Sequence, residues 1–111
     1  MKTKNNILFA EKMILSRFDT LDSKIIWAVD LEKKITGVTR IDHLIFVTTI
    51  SKWGIGQYTS LLNFDTGEIL WMIKKVFISI LITDQYVFSL QGSKLEALSV
   101  KTGKEHFIIS T

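Results

Sequence analysis

The chain has no cysteine and no proline, only six glycines and two histidines, and two arginines among its fourteen basic residues. Without cysteine, disulfide scaffolds, thiolate zinc sites and cysteine nucleophiles are excluded, and nothing argues for an oxidising compartment. Long apolar runs are missing as well. The most apolar stretch, 69–82, carries Lys74 and Lys75 in its middle, whereas a membrane helix needs ~20 consecutive apolar residues. Near the N-terminus, Glu11 and Lys12 cut the apolar run that begins at Ile7, leaving it shorter than the ~7–15 residues of a secretion-signal core. The expectation is therefore a cytoplasmic protein with no membrane span. Twelve lysines and a net charge of +3 make the chain mildly basic. Arginine, the residue suited to bidentate phosphate and guanine contacts, is scarce, so the lysines fit solubility better than nucleic-acid recognition.

Helical periodicity is absent too. Apolar residues cluster in runs rather than at three-and-four spacing, and the runs are rich in Ile, Val, Thr and aromatics, which is the pattern of strands. The segments 7–10, 13–18, 25–29, 35–41, 44–50, 59–64, 69–73, 76–83, 86–90, 95–100 and 106–109 read as eleven short strands. Several, such as 76–82, are apolar on both alternating faces, as a strand covered on both sides requires. With 111 residues and 47% apolar content, a single domain can bury roughly two-thirds of its surface without staples.

The chain repeats. Asp19-Thr-Leu-Asp-Ser-Lys-Ile-Ile-Trp27, Asn63-Phe-Asp-Thr-Gly-Glu-Ile-Leu-Trp71 and Ser99-Val-Lys-Thr-Gly-Lys-Glu-His-Phe107 align with a small polar residue at the start and an aromatic at the end. The polar turn between them is best formed at Thr66-Gly67 and Thr102-Gly103. The aromatic positions recur within the span of ~20–50 residues that marks propellers and solenoids.

Leu61-Leu-Asn-Phe-Asp-Thr-Gly-Glu-Ile-Leu-Trp71 and Ala97-Leu-Ser-Val-Lys-Thr-Gly-Lys-Glu-His-Phe107 resemble the pyrroloquinoline-quinone-type β-propeller repeat, Ala-x-Asp-x-x-Thr-Gly-x-x-x-Trp. The resemblance covers nearly the whole chain and implies antiparallel four-stranded blades. The motif would span the third strand, the turn and the fourth strand, with the tryptophan docking one blade on the next. It makes Trp27, Trp71, Phe107, Gly67 and Gly103 structural anchors. The first copy departs from it, with Asp22-Ser23 in place of Thr-Gly, and Asn63, Ser99 and Phe107 are further departures. Strand counting gives a single domain, 1–111, with blade-like units at about 7–29 (lacking its first strand), 35–73 and 76–109. Propellers have roughly four to eight blades, so the expected architecture is a partial all-β propeller, open unless completed by another chain or a second copy.

In the resembled family the motif itself is structural, and catalysis needs in addition a metal site and a full ring. No catalytic residue, metal site or cofactor is expected here. Asp19-Thr-Leu-Asp22 lacks the ligands of a calcium loop, and Gly54-Ile-Gly56 lacks the third glycine and helix of a dinucleotide site. His43 and His106 have no ligand partner at a useful spacing. One segment departs from the minimal repeat: Ser51-Lys-Trp-Gly-Ile-Gly-Gln57. Up-and-down strands place Lys52 and Trp53 on the same face as Lys33, Lys34, Lys74 and Lys75, with Asp42, His43, Asp65, Thr66, Asp84 and Gln85 on the opposite one. Trp53 among lysines can pack locally, stack a nucleobase or bind a partner. The last reading makes those six residues a site for a protein partner with an acidic surface. The expected function is a non-enzymatic interaction or scaffold module, similar in its repeats to the scaffold lipoproteins of outer-membrane assembly. The alternatives are a small inhibitor or immunity protein and a piece of a quinoprotein dehydrogenase.

Overall fold

The computed structural model describes residues 5–77, 79–91 and 93–110, with backbone alone at 79, 91 and 106–110. Its strands are β1 (Asn6–Glu11), β2 (Ile14–Asp19), β3 (Lys24–Asp30), β4 (Lys34–Ile41), β5 (Leu44–Ile50), β6 (Gln57–Asn63), β7 (Ile69–Ile73), β8 (Ser79–Ile82), β9 (Tyr86–Gln91), β10 (Lys94–Ser99) and β11 (Glu105–Ser110). No α-helix occurs among the described residues. The strands form three antiparallel sheets, each in sequence order: β1–β3 (unit 1), β4–β7 (unit 2) and β8–β11 (unit 3). Tight turns join β1 to β2 and β4 to β5. Lys12 and Asp42 open two-residue hairpin turns with left-handed φ angles of 57° and 58°, a conformation Asp adopts more readily than most residues.

Each unit has the same irregularity in the same place. The pairing of its last two strands slips between Arg17 and Phe18, between Leu61 and Leu62, and between Ala97 and Leu98. Just before the slip, Arg17 faces Trp27, Leu61 faces Trp71 and Ala97 faces Phe107. A bulge adds a residue to one strand and increases local twist. Here its effect is to give the three aromatic positions one common register.

The core lies between units rather than within them. Between units 1 and 2, Leu15, Leu31, Ile45, Val47, Leu62 and Phe64 are fully enclosed, with Leu8, Trp27, Val29 and Ile35 packed around them. Between units 2 and 3, Phe46, Leu61, Trp71 and Val87 are enclosed, bordered by Ile41, Leu44, Phe77, Ile80 and Ile82. Ile45 and Val47 thus look one way from β5 while Phe46 looks the other, and Leu62 and Leu61 do the same in β6. These are the strands apolar on both faces because both faces are covered. Full burial of one such side chain contributes about 1.5–3 kcal/mol, so the two seams supply most of the cohesion.

Residues 76–83 differ from the strand expected there. Phe77 packs edge-on against both Trp71 and Phe46, each at 6.4 Å between ring centroids; Val76 and Phe77 are outside the strand, position 78 lies outside the described residues, and β8 spans Ser79–Ile82. Its outward face is open: Leu81 is 67% exposed, since unit 3 has a neighbour on one side only.

Candidate interaction site

The turn between the last two strands of a unit is held the same way each time. The Asn63 Oδ1 accepts the amides of Asp65 and Thr66 at 2.8 and 3.1 Å. The Ser99 hydroxyl accepts those of Lys101 and Thr102 at 3.2 and 3.4 Å, and Asp19 Oδ1 accepts those of Leu21 and Asp22 at 2.9 and 3.4 Å. Short polar side chains capping their own turn in this manner explain why Asp, Asn and Ser replace one another at this position. Gly67 and Gly103 then take left-handed φ angles of 79° and 71°, and Ser23 holds 53° at the matching place in unit 1.

On these turns sit the tryptophans of the preceding unit. A Cβ on Gly67 would lie 2.6 Å from the Trp27 indole, and one on Gly103 would lie 2.7 Å from that of Trp71. Trp27 Nε1–H donates to the Phe64 carbonyl at 2.9 Å and Trp71 Nε1–H to the Val100 carbonyl at 2.7 Å. The glycine is therefore required twice, by its φ angle and by the ring lying flat against it. The anchor position 107 falls where only the backbone is described, so its side-chain contacts lie outside the described residues; the same holds for His106. The first seam has an additional element. Arg17 and Arg40 place their guanidinium carbons 4.1 and 3.6 Å from the Phe64 ring centroid, and Arg17 Nη1 donates to the Phe64 carbonyl at 3.1 Å.

The loop between β5 and β6 closes on itself. The Ser51 amide donates to the Gly56 carbonyl at 2.8 Å and the Gly54 amide to the Ser51 carbonyl at 2.8 Å. The Ser51 hydroxyl accepts the amides of Ile55 and Gly56 at 3.2 and 3.0 Å. With its polar groups used internally, the loop turns its apolar side chains outward: Trp53 is 80% exposed and Ile55 82%. Lys52 Nζ stands 5.6 Å from the Trp53 ring. Lys33 Nζ lies 4.7 Å over the Tyr58 ring and 3.7 Å from Met72 Sδ. A Cβ on Gly56 would meet both Tyr58 and the Lys74 stem, which places Lys74 against the base of the loop. Lys34 is exposed and pairs through its backbone with Ile50, next to the loop.

Lys75 turns away from this rim. Its ammonium forms an ion pair with Glu96 in the seam between units 2 and 3, where the carboxylate is almost fully buried, and its carbonyl accepts the Thr59 hydroxyl at 2.6 Å. The face thus gathers Lys33, Lys34, Lys52, Trp53 and Lys74, while Lys75 ties two units together. Ile55 and Tyr58 are absent from the sequence-derived set. The flanking glycines were the available signal for Ile55, and nothing in the sequence marked Tyr58. At the opposite ends of the strands, Asp42, His43 and Asp84 line one shallow depression, and His43 Nδ1 is 3.6 Å from Asp65 Oδ2 in an exposed pair.

The three sheets, their common register and the tryptophan-on-glycine seams can be set beside known structures. BamB from Moraxella catarrhalis matches with a TM-score of 0.67 and 22% identity over 96% of this chain and 33% of that one. The fold is a partial β-propeller, and its repeats resemble the quinoprotein type. A europium-containing methanol dehydrogenase (TM-score 0.62, 15% identity) and the quinohemoprotein alcohol dehydrogenase from Comamonas testosteroni (TM-score 0.55, 12% identity) match over 96% of this chain. Of those two proteins 23% and 20% are covered. The chain spans about a third of the BamB length and less of the dehydrogenases. No family model and no curated protein matches the sequence. At these identities the likeness establishes the fold.

The described residues do not by themselves form a site for a quinone and its metal. Among the described residues no group of three His, Asp or Glu side chains could hold a metal ion. A depression of about 420 Å³ on unit 3 is lined by Ile80, Leu81, Phe88, Leu90 and Leu95, without a polar side chain to meet an anionic ring system. No helix among the described residues is long and apolar enough to cross a membrane.

Proposed function

We propose that the chain is a non-enzymatic propeller-type interaction module whose 51–56 loop captures a protein with an acidic surface. The observation that carries this reading is the exposure of Trp53 and Ile55 on a self-closed loop, with Lys52 beside Trp53 and Lys33, Lys34 and Lys74 towards the base of the loop. Large aromatic side chains held by a rigid turn give contact area at low entropic cost. Rim lysines steer an acidic partner and change association rates more than affinity. The internal hydrogen bonding of the loop supports the reading further, because a pre-organised anchor loses little freedom on binding. The free faces of units 1 and 3 fit a module that works together with another chain.

The test is cross-linking in native extract with wild-type protein and with the Trp53→Ala and Lys74→Glu variants, followed by identification of the captured chains. A partner enriched by wild type, lost with Trp53→Ala and weakened by Lys74→Glu supports the proposal. Equal recovery with all three overturns it. The second reading, a piece of a quinoprotein dehydrogenase, draws on the two dehydrogenases among the similar structures. It requires added quinone and calcium to change the absorbance and the melting temperature of the protein, and unchanged values reject it.

A further inference from the structure

Each internal seam uses one recurring pair, a tryptophan of one unit over a glycine in the turn of the next. At the two free faces both members of the pair change together. Where units 1 and 2 carry Trp27 and Trp71, unit 3 carries Phe107, in the same register position opposite Ala97. Where units 2 and 3 carry Gly67 and Gly103, unit 1 carries Ser23, which keeps the left-handed φ but brings the Cβ that an indole cannot tolerate at 2.6–2.7 Å. A phenylalanine at the anchor position of the last unit and a residue bearing a Cβ at the turn of the first are the paired change expected of two faces that pack on each other.

The rest of the two faces agrees. Ile7 and Phe9 hold in β1 the positions that Ile45 and Val47 hold in β5, by their pairing one strand over. Ile45 and Val47 are fully buried, whereas Ile7 and Phe9 are exposed, together with Ile14 and Ile25. On unit 3, Phe88 pairs with Ala97 as Phe46 pairs with Leu61, and around it Leu81 and Leu90 stand open beside the apolar depression. Each free face therefore has the character of one half of an internal seam, and the two halves are opposite ones.

We infer that a second copy of this chain docks head to tail, the free face of unit 3 in each copy resting on the free face of unit 1 in the other. Two such seams close six units into a ring, within the four to eight blades of closed propellers, and satisfy every apolar face by a two-fold operation. The inference rests on the interaction-module reading for its context but not on the Trp53 loop, which lies outside both seams. Trp53→Ala must therefore leave the pair intact, and loss of capture and loss of pairing are separately observable.

Sedimentation of the wild-type chain at micromolar concentration is expected to give twice the 12.7 kDa of one copy. Phe107→Trp should raise the dissociation constant roughly a hundredfold, tenfold for each of two overfilled seams, and adding Ser23→Gly to the same chain should restore it. Leu81→Lys and Ile25→Glu should each give monomers that keep the wild-type circular dichroism spectrum, melting lower only by the stabilisation that pairing supplies, yet their equimolar mixture should recover a pair through the one seam left undamaged. A monomeric wild type, a pair indifferent to Phe107→Trp, or a pair broken by Leu81→Lys but not by Ile25→Glu overturns the inference, the last because it means like face on like face.

Discussion

Replacing Gly103 by alanine tests the seam at its narrowest point, and Gly54 provides the control. Both glycines sit at φ +71°, but around Gly54 nothing lies within 4 Å, while at Gly103 a Cβ would be 2.7 Å from Trp71 Cδ2 and 2.8 Å from Cγ. The backbone term, about 1 kcal/mol for a left-handed residue with a Cβ, is common to both. So is the gain from a less flexible unfolded chain. What differs is the indole, which must retreat by several tenths of an ångström. Its 2.7 Å bond to the Val100 carbonyl then stretches, at a cost of about 1 kcal/mol. Its packing against Phe46, Leu61, Val87 and Phe77 is disturbed at the ~1–3 kcal/mol typical of overfilling a core. Gly103→Ala should thus lose about 3–5 kcal/mol and Gly54→Ala about 1 kcal/mol, within the ~5–15 kcal/mol of a typical domain. Urea unfolding followed by tryptophan fluorescence gives the two values directly, and melting temperatures should differ by roughly 10 °C at this chain length. If Gly103→Ala unfolds at the same urea concentration as Gly54→Ala, the Trp71 ring does not rest on that turn, and the account of the seams is wrong.

Trp71→Ala should cost ~3–5 kcal/mol in the same assay, the range for truncating an aromatic core residue. Trp53→Ala should change stability by less than ~0.5 kcal/mol, as for an exposed side chain, while weakening partner capture by about 2 kcal/mol. Lys74→Glu should reduce capture mainly at low salt, because screening at physiological ionic strength already weakens exposed charges beyond ~8 Å. Lys75→Met should cost about 3 kcal/mol by leaving the Glu96 carboxylate buried without its cation, and Lys75→Met/Glu96→Leu should recover most of that, as breaking a buried pair is worse than replacing it; equal losses in the single and double variants, measured by urea unfolding, would reject the ion pair as the cause.

The fold was legible because its signal is local and repeated. Runs of β-branched and aromatic residues without helical spacing, and three copies of one turn-and-aromatic pattern, each carry their meaning within a dozen residues. The edges of strands were less legible. Val76 and Phe77 have the composition of strand yet stand outside it, with Phe77 turned against Trp71 and Phe46. Longer-range partnerships were invisible. Lys74 and Lys75 are adjacent lysines with nothing to distinguish them, and it is the depth of Glu96, twenty-one residues on, that draws one inward and leaves the other at the loop. Likewise, the glycines beside Ile55 announce a loop but not that its backbone satisfies itself and turns the side chain to solvent.

The tryptophan seams also give the molecule a direction in time. Trp27 bonds to a carbonyl 37 residues further along the chain and Trp71 to one 29 residues further, always in the unit that follows. During synthesis, a unit leaving the ribosome finds its own indole unanchored until the next turn has been made, at ~5–20 residues per second, a wait of a few seconds per unit. Locking therefore proceeds from the N-terminus by one unit at a time, each new turn closing over a ring already waiting for it. The same polarity makes damage asymmetric: a fault in one turn releases the indole of the unit before it and leaves the indole of its own unit seated on the turn that follows.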